Sequence, residues 1–453
     1  MVGFFLFIVA IILFQRGKHF ASLLLFFLFL NNGFQLIPVA WLMAGFPLDK
    51  SSDLAIFFVA IITFIKRKDI GKITKDHPLF NWFLYIVGFA AVDAFYSYFF
   101  LHYSPVNVLQ VFRPYLLFLS FVVFFVVPPA TLKRVFHAVA LITLFQCVLF
   151  LFQIVTGQTI LLSANGDDNI TTGIVEGAGY IRFYNQPAFL IPTLFYFLFV
   201  FKFKNKLIQV GVLGILVLTV IGPMHRSLIV TIVAVISLFT LFQQSLSKRI
   251  IYILMLGLVI YVLSFIDVLG KRMGEAFSDM QTTFTSNLSV ANIDVSENST
   301  LFRIGHLVER LDYVESGPMR WLFGIGLISD NAPYADQLPF KFGLISETTG
   351  QVVQIDTSDL VWSPLILTLG IVGTLLYATV FIVLLVHFFK KTKYNSYNIV
   401  GFLTVLAALF LSMAGNDMTT SSFRIIMILV AVIGCSSNDE LFAFGKGAAS
   451  KYY

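Results

Sequence analysis

The residues in this sequence best placed to do chemistry are arginines standing where hydrophobic sequence should continue. Residues 218 to 232 read LTVIGPMHRSLIVTI, so His225 and Arg226 interrupt a run of lipid-soluble side chains. Arg113 does the same in VLQVFRPYLLFLS, and Arg182 stands ahead of an apolar run in YIRFYNQPAFLIP. A charge in such a setting is expensive and marks a functional site with a partner to be found. Further on, ENSTLFRIGHLVERLDYVES carries Arg303, His306 and Arg310 at spacing i, i+3, i+7, with Glu309 beside them. Guanidinium groups are planar forks that match phosphate oxygens. Arginines converging at a membrane surface therefore point to a bound anionic headgroup, with a diphosphate as the natural candidate.

The same sequence has no HExxH, no Cys/His metal spacing, no GxSxG and no Walker loop, so the expected chemistry uses no metal and no cofactor. Arginines would neutralise a leaving diphosphate, and a base would activate an acceptor hydroxyl. Asp359 in IDTSDLVWSPLILTLGIVG is the last charge before a long apolar run and stands as the favoured base, with His306 and Glu309 as rivals. Cys147 and Cys435, the two cysteines, read as packing residues. His225 reads as an interfacial neighbour of Arg226.

These side chains must be positioned by membrane helices. Of the 453 residues, 58% are hydrophobic and 12% charged, about half the charge of a soluble domain. Apolar runs fall near 2 to 15, 20 to 44, 53 to 65, 79 to 103, 106 to 128, 134 to 156, 187 to 201, 206 to 222, 226 to 243, 249 to 266, 359 to 387, 398 to 414 and 422 to 434. The expectation is an all-α polytopic membrane protein of about 12 to 13 transmembrane helices. The connections QRGKH, KRKDIGKITKDH, LKR, KFKNK, SLSKR and KKTK are basic and all fall on one side, which is therefore cytoplasmic. That distribution also argues against a nucleic-acid footprint for the net charge of +6.

The opposite side carries the long connections, residues 157 to 186 and 267 to 358. The second holds six Lys/Arg against twelve Asp/Glu, an acidic balance that suits the external face. Three parts follow: N-terminal helices over 1 to 266 with the smaller external loop, the large external loop over 267 to 358, and C-terminal helices with a cytoplasmic tail over 359 to 453. Within the large loop the Arg303 segment reads as an amphipathic helix, capped by Asn298 or Ser299. Leu301, Ile304, Val308 and Leu311 lie nearly opposite Arg303, His306 and Arg310 at about 100° per residue. One face is expected to pack down, and the other to present two guanidiniums and an imidazole. Gly324 and Gly326 in LFGIGL suit a close backbone approach or a tight turn, and the turn from Gly222 to Arg226 falls at the external surface.

The order of IRFYNQPAF, GPMHRSLIV, FRIGHLVER, LFGIGL and a polar stretch leading into LGIVG, over roughly residues 180 to 390, resembles the bacterial O-antigen polymerase and ligase family. The resemblance implies a GT-C-like membrane glycosyltransferase acting on undecaprenyl-diphosphate-linked glycans at the outer face of the plasma membrane. Its implied partners are the lipid-linked oligosaccharide, membrane lipid and a chain-length regulator. Where the ligase branch has a histidine about eleven residues before the glycine of the span motif, this sequence has Asp359 before Gly370. That leans towards a polymerase, over a ligase to lipid A or protein, and over a flippase or secondary transporter. On this reading Arg226 and Arg303 or Arg310 hold the diphosphate, while Arg182 and Arg113 support it or form a second substrate site. The turn departs from the family's Ser-Arg-Gly order, reading His225, Arg226, Ser227.

Overall fold

The computed structural model describes residues 2–43, 50–163, 172–175, 180–243, 299–330, 332–344, 350, 352–355, 357 and 359–435. The expected span at 249 to 266, the loop residues up to Asn298, Asp356 and the C-terminal tail lie outside these.

Helices α1 (Val2–Gln15), α2 (His19–Leu30), α3 (Val39–Met43), α4 (Ser52–Ile65) and α5 (Arg67–Asp76) open the chain. They are followed by α6 (Pro78–Phe99), α7 (Pro105–Phe112), α8 (Ser120–Phe125) and α9 (Pro129–Thr156). Two short strands, β1 (Thr172–Val175) and β2 (Tyr180–Phe183), pair antiparallel. Next come α10 (Leu190–Phe199), α11 (Lys206–Ile221) and α12 (Arg226–Gln243). Then α13 (Ser299–Glu315) and α14 (Pro318–Phe323) lead to α15 (Trp362–Lys391), α16 (Ser396–Leu411) and α17 (Ser421–Cys435).

Local chemistry sets the boundaries. Pro78, Pro105, Pro129 and Pro318 each occupy a first helical position, where the missing N–H costs nothing. Asn205 and Asn395 cap α11 and α16 by accepting the Leu207 and Tyr397 amides at 2.9 and 3.1 Å. Gly157, at φ 69°, closes α9 with its amide on the Gln153 carbonyl.

Among the described residues four helices are long and apolar enough to cross a membrane: Pro78–Phe99, Pro105–Phe125, Pro129–Thr156 and Trp362–Lys391. The protein is thus helical and membrane-embedded. The second of these is not a continuous α-helix, because Pro114 falls within it and residues Arg113–Leu119 wind as 3-10 turns. Shorter apolar helices make up the remainder of the bundle, and phenylalanines fill its centre, as in the stacked pairs Phe83/Phe118 and Phe80/Phe121.

The expected span from 20 to 44 is not one helix. It breaks after Leu30, where Asn32, Gly33, Phe34 and Gln35 all take positive φ. The buried Gln35 amide then donates to the Leu162 and Gln186 carbonyls, both at 3.1 Å, and accepts the Ala188 amide at 3.1 Å. A polar side chain satisfied this way requires a bend that an unbroken helix would not permit. The Asn-Asn-Gly sequence supplies it.

Both ends of the helices are distinguishable by what covers them. One end bears α13, α14 and residues 324 to 330 and 332 to 344, tied down by Leu327 N–H on Ser97 Oγ at 2.8 Å and by Tyr103 OH on the Ile325 carbonyl at 3.0 Å. The starts of α4, α15 and α17 and the end of α6 lie at this end. Lys66, at the far terminus of α4, belongs to the opposite one.

Candidate functional site

The face of α13 carrying Arg303, His306 and Arg310 turns towards protein, contrary to the presentation expected from its amphipathic spacing. His306 is 1% exposed and Arg310 is fully buried, whereas on the apolar side Ile304, Val308 and Leu311 are half-buried and Leu301 is buried. The inversion is possible because His306 and Arg310 each meet a partner supplied from far along the chain, Ser363 and the Gln354 carbonyl.

Arg310 donates from Nη2 to the Gln354 carbonyl at 3.0 Å, pairs through Nη1 with Glu309 Oε2 at 2.9 Å, and lies 4.3 Å from the centroid of the Phe340 ring. Glu309 also accepts the Lys341 amide at 2.8 Å and the Phe342 amide at 3.1 Å. These two residues together latch Phe340, Lys341, Phe342 and Gln354 onto α13. Burial pulls the Arg310 guanidinium down to about 10, against the opposing pull of Glu309 and Asp330. At neutral pH it remains a cation, engaged in the latch.

His306 stands against the first turn of α15, with Nδ1 2.6 Å from Ser363 Oγ, while that oxygen is 3.3 Å from the His306 carbonyl. Both contacts are hydrogen bonds at once only if the hydroxyl hydrogen is on the carbonyl and Nδ1 carries a proton. In that arrangement Nε2 is a bare lone pair. It is buried and has no hydrogen-bond partner among the described residues. Burial, with the Arg310 cation adding to it, drives the imidazole down to about 3, so it is neutral at physiological pH.

Arg303, one turn before His306, is half-buried, and its Nε is likewise buried with no hydrogen-bond partner among the described residues. The turn of α13 nearest the start of α15 thus carries one unsatisfied donor and one unsatisfied acceptor. Buried polar atoms in native proteins are rarely left so. Asp359 is half-buried in the turn leading to α15, four residues before Ser363, with its amide donating to Thr357 Oγ1 at 3.2 Å. The helix begins at Trp362 rather than at residue 359, so the carboxylate lies in a turn and not on the span itself.

The LFGIGL and LGIVG motifs meet each other. Gly324 (φ 63°) and Gly370 (φ 68°) touch through their backbones, and the Ile325 amide donates to the Leu367 carbonyl at 2.7 Å. Gly370 leaves helical geometry and breaks α15. The close approach expected of Gly324 is therefore made to a helix rather than to a ligand.

The other arginines are dispersed. Arg113 pairs with Asp53 at 2.7 Å, and that carboxylate is 2% exposed at the start of α4. Arg226 is half-buried in the first residue of α12, beyond a turn with Met224 at φ 54°. His225 serves that helix start, with Nδ1 2.9 Å from Ser227 Oγ and 3.4 Å from the Leu228 amide. Of Arg182, only the backbone is described; it lies in β2, in register with Gly173.

Three charged residues went unmarked in the sequence reading: Asp53, Asp93 and Arg424. Arg424, 3% exposed in α17, donates Nε to Tyr377 OH at 3.2 Å and Nη1 to the Pro114 carbonyl at 3.0 Å, among the rings of Tyr115, Phe118 and Tyr377. Asp93 is fully buried near the end of α6, close to the Ser97 that anchors Leu327. Asp93 is an isolated charge in an apolar run, so the criterion that singled out Arg113 applies to it equally, whereas Asp53 follows Asp49 and Lys50, and Arg424 opens an apolar run after the polar stretch NDMTTSS. Arg113, Pro114 and Arg424 form one polar seam beneath the covered end.

No protein-family model matches this chain, and no curated protein matches it in sequence.

Proposed function

We propose that this protein is a polysaccharide polymerase of the O-antigen polymerase and ligase type, transferring a glycan from undecaprenyl diphosphate to the terminal hydroxyl of another lipid-linked repeat unit. Among the described residues α13 carries three buried atoms without a hydrogen-bond partner, Arg303 Nε, His306 Nε2 and Arg310 Nε, and the observation that carries this reading is the first two, on the turn seated against the start of α15 just beyond Asp359. A donor beside an acceptor is what a phosphate oxygen and a sugar hydroxyl require together.

In the proposed reaction the acceptor hydroxyl gives its proton to Asp359, and its oxygen bonds to the anomeric carbon of the donor glycan. The bond from that carbon to the diphosphate oxygen breaks, and undecaprenyl diphosphate leaves with the electron pair. Arg303 holds the diphosphate and stabilises the charge gathering on it. His306 Nε2 orients the hydroxyl by accepting a hydrogen bond. Arg310, Glu309 and Arg113 form the frame in this scheme, since each already has a protein partner. About 12 to 13 spans, a GT-C-like arrangement and an outward-facing large loop belong to the same proposal.

The test is incubation of the purified protein with a lipid-diphosphate-linked repeat unit. A ladder of longer lipid-linked products is expected. Transport of the intact lipid across vesicles with no ladder would replace the polymerase with a flippase.

A further inference from the structure

At the end of the helices opposite α13, the terminus of α1, the start of α2, the end of α4 and the residue after α8 enclose a cavity of about 340 Å³. Its polar wall includes Lys66 and His19, and its apolar wall includes Phe14, Ile62, Ile65 and Val126. Among the described residues no carboxylate lines it. His19 Nδ1 is buried with no hydrogen-bond partner among the described residues, while the ring packs 4.7 Å from Phe14. No side chain caps the first turn of α2, which begins at His19, and an uncapped helix start offers amide donors to an anion. Exposed Arg16, Lys18, Arg67 and Lys68 stand beside the lining residues in sequence. Outside the cavity Phe64 and Phe20 are exposed apolar side chains of the kind that meets acyl chains.

We infer that this cavity binds a phosphate group through Lys66 and His19, and that the phosphate is the headgroup of an anionic membrane phospholipid. A cationic floor with apolar walls suits an amphiphile: the phosphate takes the ammonium and the imidazole N–H, and the first acyl carbons lie along Ile62, Ile65 and Val126. A free phosphate satisfies the same donors but leaves the apolar wall uncovered. The site is remote from α13 and independent of the glycan-transfer reading.

The full-length protein in detergent is mixed with phosphatidylglycerol, with phosphatidylcholine, or with inorganic phosphate. Bound lipid is counted by native mass spectrometry, and melting is followed in parallel. Phosphatidylglycerol should be retained and raise the melting temperature, whereas phosphatidylcholine should do neither. Lys66→Gln and His19→Phe should each weaken phosphatidylglycerol binding, by about five-fold for the lost cation, and Lys66→Arg should preserve it. A melting shift from inorganic phosphate equal to that from phosphatidylglycerol would overturn the lipid assignment. Equal retention of both lipids, or unchanged binding in both neutral variants, would overturn the site. Should the neutral variants fail to fold, wild-type retention must still decline as salt is raised, and salt-independent retention counts against the inference.

Discussion

Gly324 and Gly370 touch backbone to backbone, joining the loop after α14 to the break in α15. A Cβ on Gly324 would lie 2.0 Å from the Leu367 carbonyl oxygen, and one on Gly370 would lie 2.7 Å from the Gly324 nitrogen. Neither neighbour can move away, since both are main chain. The contact fixes where the covering layer sits on the membrane helices, and thereby where α13 meets Ser363.

Gly324→Ala is therefore expected to destabilise the protein severely. The positive φ alone costs a non-glycine residue about 1–2 kcal/mol, and the overlap adds to it. Gly214→Ala, in α11 where an added Cβ meets nothing within 4 Å, should melt as the wild type does. Thermal unfolding of the two purified variants compares them directly, and equal melting temperatures would refute the contact.

Arg113 and Asp53 should behave as a buried pair. Arg113→Met takes the guanidinium away from the Asp53 carboxylate and should cost about 3 kcal/mol, with the guanidinium's partial exposure lowering that figure. Asp53→Leu combined with Arg113→Met should regain much of the loss. If the double variant is stable yet makes no product, Arg113 serves substrate as well as frame.

His306 makes stability depend on pH in a definite direction. Its ordinary value of 6.5 falls to about 3 in the fold, so between those values the unfolded chain binds a proton that the folded chain does not. Stability should be fully present above pH 6.5 and decline as pH falls towards 3, by up to about 1.4 kcal/mol per pH unit. His306→Gln should flatten this slope between pH 6.5 and 5, above the range where carboxylates dominate. An unchanged slope would show that His306 is not held neutral.

Arg303 and Arg310 should separate function from frame. Arg303→Lys is expected to abolish most elongation at unchanged melting temperature, because an ammonium cannot offer the guanidinium's fork. Arg310→Lys should lower the melting temperature, because Glu309, the Gln354 carbonyl and the Phe340 ring lose a shared partner. Wild-type chain lengths from Arg303→Lys would remove the diphosphate role.

Much of the framework was legible along the chain, because long apolar runs and first-turn prolines act locally. The Pro78–Phe99, Pro129–Thr156 and Trp362–Lys391 helices follow from length and hydropathy alone. So does the turn ahead of Arg226, since Gly222 and Pro223 cannot continue a helix comfortably.

What the sequence by itself determined was the membrane class, most helix positions, and the spacing that sets Arg303, His306 and Arg310 on one side of α13. Only the tertiary structure decided which side of α13 is buried, that Arg113 answers Asp53, and that two glycine motifs close on each other. Periodicity divides a helix into two faces, but an arginine can be buried only where acceptors converge on it. Those acceptors, the Gln354 carbonyl for Arg310 and Asp53 for Arg113, are dozens of residues away in sequence and come within reach only when the chain is folded.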